Sequence, residues 1–507
     1  MIEIFNRGIE KIFSTRYKKY EYFSKYPVEQ QEKVLQELIR KAENTEWGIN
    51  HGYPGIQGSS AFKSNVPLGD YETLKPYIER MVEGEKNILW PGTVRWFAKS
   101  SGTTNDKSKF IPVSDDSLDN CHLKASVDVF AHYLKSNPDT QFLKGKNLTI
   151  GGSHKVSNLN KSIRTGDLSA VMLHNLPFLS RFKNTPPSEI ALIPDFEEKI
   201  EKIAHSTINE NITSFAGVPS WFLVLIKRIL EISGKDNLLE VWPNLEVFVH
   251  GGINFEPYHE QYKKLIPSAT MRYMNTYNAS EGFFALQNDL STDDMLLMLD
   301  NGIYYEFIDM AHFFDNEPEA LGLDQVETGR NYAMVISTNG GLWRYIIGDT
   351  VMFTQKYPFK IKITGRTRHF INAFGEELII NNAIKGLDAA CEITGATICE
   401  FTAGPVFMDT EHKGCHQWII EFENEPENIE QFAKILDQEL QKVNSDYEAK
   451  RFKNLTLKQL EIINAPKGTF YNWMKTRGKV GGQNKIPRLA NDREYLDSLL
   501  KQINTQP

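Results

Sequence analysis

The chain predicts an α/β protein: a large N-terminal domain followed by a small α+β domain. Three observations carry this expectation. Between residues 94 and 277, short apolar runs alternate with amphipathic stretches. From about residue 303 strand-like runs crowd together, and beyond residue 365 a new pair of strands precedes one strongly amphipathic helix. At 507 residues the chain exceeds one ordinary core, and its 41% hydrophobic content is that of a globular protein.

Taken in order, the first fifty residues read as helix, with apolar positions of VLQELIRKA (34–42) at helical spacing and a stop at Gly48. VRWFA (94–98), NLTIGG (147–152), SFAGV (214–218), LEVFVHGG (245–252) and MRYMNTY (271–277) read as strands, each ending in small or polar residues. Between them, Phe196, Ile200, Ile203 and Ala204 share one helical face, and FEPYHEQYKKLI (255–266) is amphipathic. Such alternation gives α/β layers whose ligands collect at the carboxyl ends of strands. IYYEFIDM (303–310), NYAMVIST (331–338), VMFTQ (351–355) and KIKITG (360–365) predict a smaller, mostly antiparallel sheet. Strands near 392–403 and 416–423 then lead to a helix striped by Ile429, Phe432, Ile435, Leu436, Leu440 and Val443. The expected domains are 1–365, large and N-terminal, and 366–507, small and mobile, with GRTR (365–368) as the hinge.

A formal net charge of −8 and a pI near 5.9 argue against a protein whose main task is holding nucleic acid. Glu3, Arg7 and Glu10 interrupt the apolar segment a secretion signal needs. WFLVLIKRIL (221–230) is cut by Lys227 and Arg228, short of the roughly 18 apolar residues of a membrane span. Four cysteines without a C-x-x-C pair fit a reducing cytoplasm. His412, Cys415 and His416 in HKGCH lack a fourth ligand and read as structural. No Walker A loop, G-x-S-x-G, H-E-x-x-H or G-x-G-x-x-G is present.

Four segments can carry chemistry. KSSGTTNDKSKF (99–110), between an expected strand and an expected helix start, offers backbone N–H groups, hydroxyls and ammoniums to phosphate oxygens; a solvated loop is the plain alternative. In NTYNASEGFFALQ (275–287), Tyr277 can stack on a base, Ser280 can donate to phosphate and Glu281 can give Mg²⁺ a hard oxygen, or the segment is simply a strand end in the core. In GLWRYIIGDTVMF (341–353), Gly348-Asp349 reads as a strand-end turn whose carboxylate can accept from a ribose diol, or as an ordinary turn. Between Ala465 and Arg488 six cations occur without an acidic residue, and Gly478, Gly481 and Gly482 suit a mobile arm offering lysine to a polyphosphate, or a solvated tail. Phe215, Trp221, Phe222 and the His250 turn are candidates for an acyl pocket, with core packing as the alternative.

In this order, the hydroxyl loop at 100, Tyr-x-x-Ser-Glu at 277, Gly-Asp at 348, Gly-Arg at 365 and the late lysines resemble the ANL adenylate-forming superfamily. Within it the chain most resembles the Gretchen Hagen 3 (auxin-responsive) acyl acid amido synthetases, through AENTEWGINHGY (42–53), VPLGDYETLKPYIERMVEGE (66–85) and HGGINFEPY (250–258) as well. The resemblance implies an ANL-type fold with a mobile C-terminal domain. It implies ATP and Mg²⁺, small-molecule carboxylic acid and amino acid substrates, and a two-step ligase reaction through an acyl adenylate. An acyl-CoA ligase with the same first step and a non-catalytic nucleotide-binding protein are the alternatives.

Carried over by position, Ser100, Ser101, Thr103 and Thr104 resemble the phosphate loop, with Lys107 or Lys109 in support. Gly251 and Gly252 match a turn against adenine, Tyr277, Ser280 and Glu281 the adenine, phosphate and Mg²⁺ contacts, and Asp349 and Arg366 the ribose and hinge positions. Lys485 in QNKIPR resembles the catalytic lysine, with Lys479 in RGKVGG as its rival. Two departures stand out: the family's third motif is commonly Tyr-Arg-x-Gly-Asp, whereas Arg344 here precedes Tyr345, and Asn105-Asp106 stands where a second loop glycine is usual. The acid, the amine and the oligomeric state stay open.

Overall fold

The computed structural model describes residues 2–101, 108–152, 157–158, 162–177, 180, 182–193, 195–252, 255, 258–367, 370–376, 378–408, 413–452, 457–476 and 487–505. Helices Ile2–Lys25, Pro27–Ala42 and Glu46–Asn50 open the chain. Gly48 does not stop a helix as expected; it lies inside the third one, whose N-cap Thr45 accepts from the Gly48 N–H at 3.0 Å. A glycine is needed there because a Cβ would stand 2.1 Å from the Ala42 carbonyl oxygen.

Twelve strands among the described residues form one sheet. In its first half Arg272–Ala279, Val247–Gly251, Ile212–Gly217, Lys146–Thr149 and Asn184–Thr185 run parallel. The helix Pro219–Ser233 covers part of this half with Phe222, Leu223, Leu225, Ile226 and Ile229, all fully buried. Strands after residue 303 do not make the separate sheet expected of them. Gly282–Leu286 folds back on Arg272–Ala279 through the Ser280–Glu281 turn, then pairs with Met295–Leu297, which pairs with Phe359–Arg366. The hairpin hands the ladder from parallel to antiparallel pairing without a break, because an antiparallel partner needs only a tight turn.

The segment from 102 to 107 joins two antiparallel strands, Trp96–Ser101 and Ser108–Val113, in register from Trp96↔Val113 to Ser101↔Ser108. This corrects the expected strand-to-helix turn. Residues 111–114 are all buried, and helix begins only at Asp115, capped by Ser114.

In the C-terminal unit Thr397–Val406 and Cys415–Asn424 pair antiparallel, and Glu461–Asn464 adds parallel to the latter. Helices Ile380–Thr394 and Ile429–Val443 pack at Gly386, where a Cβ would meet Leu440 Cδ2 at 2.8 Å. This unit sits over the carboxyl ends of the parallel strands. Tyr258 donates to the Ala373 carbonyl at 2.8 Å, Gln261 to the Met408 carbonyl at 2.5 Å, and Asn372 to the Gly252 carbonyl at 3.3 Å. No described helix is long and apolar enough to cross a membrane.

Candidate active site

A cleft of ≈ 1780 Å³ opens between the sheet and the C-terminal unit. One wall starts where Val247–Gly251 ends. Gly251 pairs with Thr276, and a Cβ on it would stand 2.6 Å from the Thr276 carbonyl oxygen; Gly252 follows at φ +82°, a left-handed turn. Thr276 donates through Oγ1 to the His250 carbonyl at 2.9 Å, tying the turn to the neighbouring strand. The His250 ring stacks on Phe255 at 4.1 Å, and burial pushes its pKa down to about 3, so it stays neutral.

Asp349 lies within the continuous strand Tyr345–Lys356, not at the strand end that its Gly-Asp pair suggests. Gly348 takes φ +93° where the pairing to Asn331–Thr338 shifts register between Ile346 and Thr350, and the pairing to Phe359–Arg366 begins at the next residue, Asp349. The register places Asp349 opposite Arg366, whose Nε donates to Asp349 Oδ1 at 2.6 Å. From Arg272–Ala279, Tyr277 donates through its hydroxyl to Asp349 Oδ2, also at 2.6 Å. Burial and the neighbouring carboxylate push the Tyr277 pKa well up, so it remains a donor. Each Asp349 oxygen keeps a second lone pair, enough to accept from two hydroxyls of a ligand. The Tyr277 ring itself packs on Phe284, 4.8 Å between centroids, and the Arg366 guanidinium lies 4.8 Å over Phe370.

Ser280 and Glu281 line the cleft from the hairpin turn, and Glu281 is close enough to act electrostatically on Tyr277 and Tyr345. Lys99 and Lys109 line it from the 96–113 hairpin, Lys109 lying 5.3 Å over the Tyr71 ring. Ser100 and Ser101 end the first hairpin strand. Thr103, Thr104, Lys107, Lys479, Lys485 and His412 lie outside the described residues. The structure therefore brings together Gly252, Tyr277, Ser280, Glu281, Asp349 and Arg366 on one cleft, while Gly251 sits in the strand just before Gly252, paired with Thr276.

Other residues fall elsewhere. Phe215 and Phe222 are fully buried and stack at 4.7 Å, so they are core, whereas Trp221 and His250 do line the cleft. Arg344 makes a bidentate pair with Glu306, at 2.9 Å on both arms, and donates to the carbonyls of Lys63 and Val66. It anchors the N-terminal helices to the sheet, away from the cleft lining. His416 pairs with Glu376 at 2.7 Å, both fully buried. Sequence reasoning passed over Asp167, Asp446 and Lys450, which also line the cleft. No local pattern in the sequence marks them.

Among the described residues no three His, Cys, Asp or Glu side chains gather into a metal cage. Glu281 is one of several cleft carboxylates and offers a hard oxygen of the type that Mg²⁺ takes while keeping much of its water.

The same fold occurs in a solved 2-hydroxyisobutyryl-CoA ligase, which superposes with a TM-score of 0.58 over 95% of this chain and 93% of that one, at 14% identity. A solved structure titled "AtGH3.15 acyl acid amido synthetase in complex with 2,4-DB" superposes with a TM-score of 0.59 over 94% of this chain and 93% of that one, at 18% identity. The chain belongs to the GH3 family: the GH3 family N-terminal, central and C-terminal domain models match residues 16–271, 296–366 and 380–494. It is 23% identical to the indole-3-acetic acid-amido synthetase GH3.3 of Arabidopsis thaliana, over 94% of this chain and 92% of that protein. It is 24% identical to the 4-substituted benzoates-glutamate ligase GH3.12 of the same plant, over 92% and 94%.

Proposed function

We propose that the chain is an ATP-dependent acyl acid amido synthetase that joins a small carboxylic acid to an amine, an amino acid by class, in the cytoplasm. The observation that carries this is Asp349, held from both sides by Tyr277 and Arg366 beside the Gly251–Gly252 turn, in a chain of the GH3 family. Relatives named for amide formation with different acids support the reaction class and leave the acid open.

In the first step a substrate carboxylate oxygen attacks the α-phosphorus of ATP, the bond to the β-phosphate oxygen breaks, and pyrophosphate leaves. In the second the amine nitrogen attacks the acyl carbonyl, the bond to AMP breaks, and the nitrogen loses a proton. Mg²⁺ bound to the phosphates would neutralise their charge, with Glu281 as the protein oxygen that meets it. Asp349 would accept from the ribose hydroxyls, its orientation set by Tyr277 and Arg366. Gly251 and Gly252 would let the adenine lie against bare backbone. Ser100, Ser101, Thr103 and Thr104 would hold the phosphates with Ser280, and Lys485, or Lys479, would bring a cation to the reaction centre. Residues 366–507 would act as the mobile domain that delivers it, turning at Arg366.

The test is ATP–pyrophosphate exchange with a panel of aryl and alkyl acids, among them indole-3-acetate and 4-hydroxybenzoate, followed by mass spectrometry of amide products with amino acids. Acid-dependent exchange and an amide are expected. An absence of exchange with every acid would overturn adenylation, and CoA-dependent but amino-acid-independent AMP release would shift the reading to an acyl-CoA ligase.

A further inference from the structure

The short helix Ser445–Arg451 turns Asp446, Ala449 and Lys450 to the cleft, the i, i+3, i+4 spacing of one helical face. Lys450 is only 8% exposed, and desolvation pulls its pKa below the usual lysine value. Its ammonium stands 4.4 Å from the centroid of Trp221, which the helix Pro219–Ser233 contributes from the opposite wall. Among the described residues this ammonium makes no hydrogen bond and no ion pair. A cation over an aromatic face is held in place while its N–H donors stay unused.

The surroundings narrow what can use those donors. Asp446, Asp167 and Glu376 act on Lys450 electrostatically without pairing with it. Glu376 is buried and engaged by His416 at 2.7 Å and by the Phe374 N–H at 2.7 Å, while Asp446 and Asp167 are among the carboxylates that line the cleft. Gly375, at φ +88°, faces the lysine; a Cβ there would stand 3.3 Å from Lys450 Cε, so the glycine keeps space around the end of the chain. A simple anion would meet two carboxylates and a simple cation would meet the lysine. A zwitterion satisfies both signs, since its opposite charges sit a few ångströms apart.

We propose that Lys450, backed by Trp221, is the acceptor subsite: it takes the carboxylate of an α-amino acid whose amino end lies on the Asp446 and Asp167 side. This rests on the amide-forming reading above and adds to it the residue that selects amino acids over other amines.

The experiment compares L-alanine with L-alaninamide as acceptors for wild type, Lys450→Met and Lys450→Arg. The two amines differ only in the carboxylate, and comparing each with its own wild-type value cancels their intrinsic reactivity. The kcat/KM ratio of L-alanine to L-alaninamide should fall at least ~10-fold in K450M, chiefly through the KM of L-alanine, and recover in part in K450R. Pyrophosphate exchange, which needs no amine, reports whether each variant is folded. Equal losses for both amines, or an unchanged ratio, would overturn the subsite. If no acid supports exchange in the wild type, the amide reading fails and the subsite is judged by binding. A saturation-transfer NMR signal from L-glutamate in wild type that disappears in K450M sustains it; a signal equal in both, or absent from both, sinks it.

Discussion

Asp349 illustrates how a site is made from residues that sequence brings nowhere near one another. Tyr277 and Arg366 approach it from two strands and fix each carboxylate oxygen at 2.6 Å. Hydrogen bonds to a charged group are worth about 1.5–3 kcal/mol, so Tyr277→Phe should lower kcat/KM for ATP by about 10- to 100-fold, read by pyrophosphate exchange. Asp349→Asn should cost at least as much, because it removes the charge that Arg366 is held against. Arg344 is the contrasting residue. Its pair with Glu306 is buried at both ends, so Arg344→Met leaves a carboxylate without its partner and should cost about 3–5 kcal/mol in urea unfolding. Measured at a temperature where that variant is folded, its KM for ATP should match the wild type, since the side chain points away from the cleft.

At the scale of elements, the parallel strands and the hairpin matter most. Gly251→Ala would press a methyl group onto the Thr276 carbonyl where two strands pair, and should cost about 1–3 kcal/mol of stability together with ATP affinity, read by unfolding and by the KM for ATP. Lys199, on the helix Phe196–Thr207, is fully buried and donates to the Gly151 and Gly152 carbonyls at 3.1 and 2.6 Å, bracing the cleft rim. Burial pushes its pKa down to about 8, below the 10.5 of an exposed lysine. Between those values the unfolded chain holds a proton the folded chain has released, so stability rises with pH from 8 to 10.5, by up to about 3 kcal/mol. Urea midpoints across that range should show the rise in wild type and lose it in Lys199→Met.

For the molecule as a whole, burial of histidine sets the acid limit. His122 and His132 are pushed down to about 4 and His250 to about 3, mainly by desolvation. Their unfolded values lie near 6.5, so below that pH the unfolded chain gains protons that the folded chain refuses. Stability is full above pH 6.5 and falls through the window down to 4 and 3, by up to about 3 kcal/mol each for His122 and His132 and about 5 kcal/mol for His250. His132→Phe keeps the packing against Tyr20, 4.6 Å between centroids, and should flatten the loss of urea midpoint between pH 7 and pH 4.5. The same fold joins the C-terminal unit to the strand ends through the backbone carbonyls of Gly252, Ala373 and Met408.

Much of this was legible in the order of residues. Alternating periodicity predicted the parallel strands and their helices, because a strand facing one core repeats every two residues and a helix every 3.6. Tyr277, Ser280, Glu281 and Asp349 stood out as local motifs, whereas Gly251, Gly252 and Arg366 were marked only by the family resemblance. What local pattern could not supply was pairing at long range. Whether residues after 303 start a new sheet, whether Asp349 ends a strand, and whether Arg344 faces the cleft all depend on strand register, which neighbouring residues do not encode. Lys450 is the sharpest case: its ammonium lies 4.4 Å from the ring of Trp221, more than two hundred residues earlier in the chain, a meeting that nothing local to its own helix encodes.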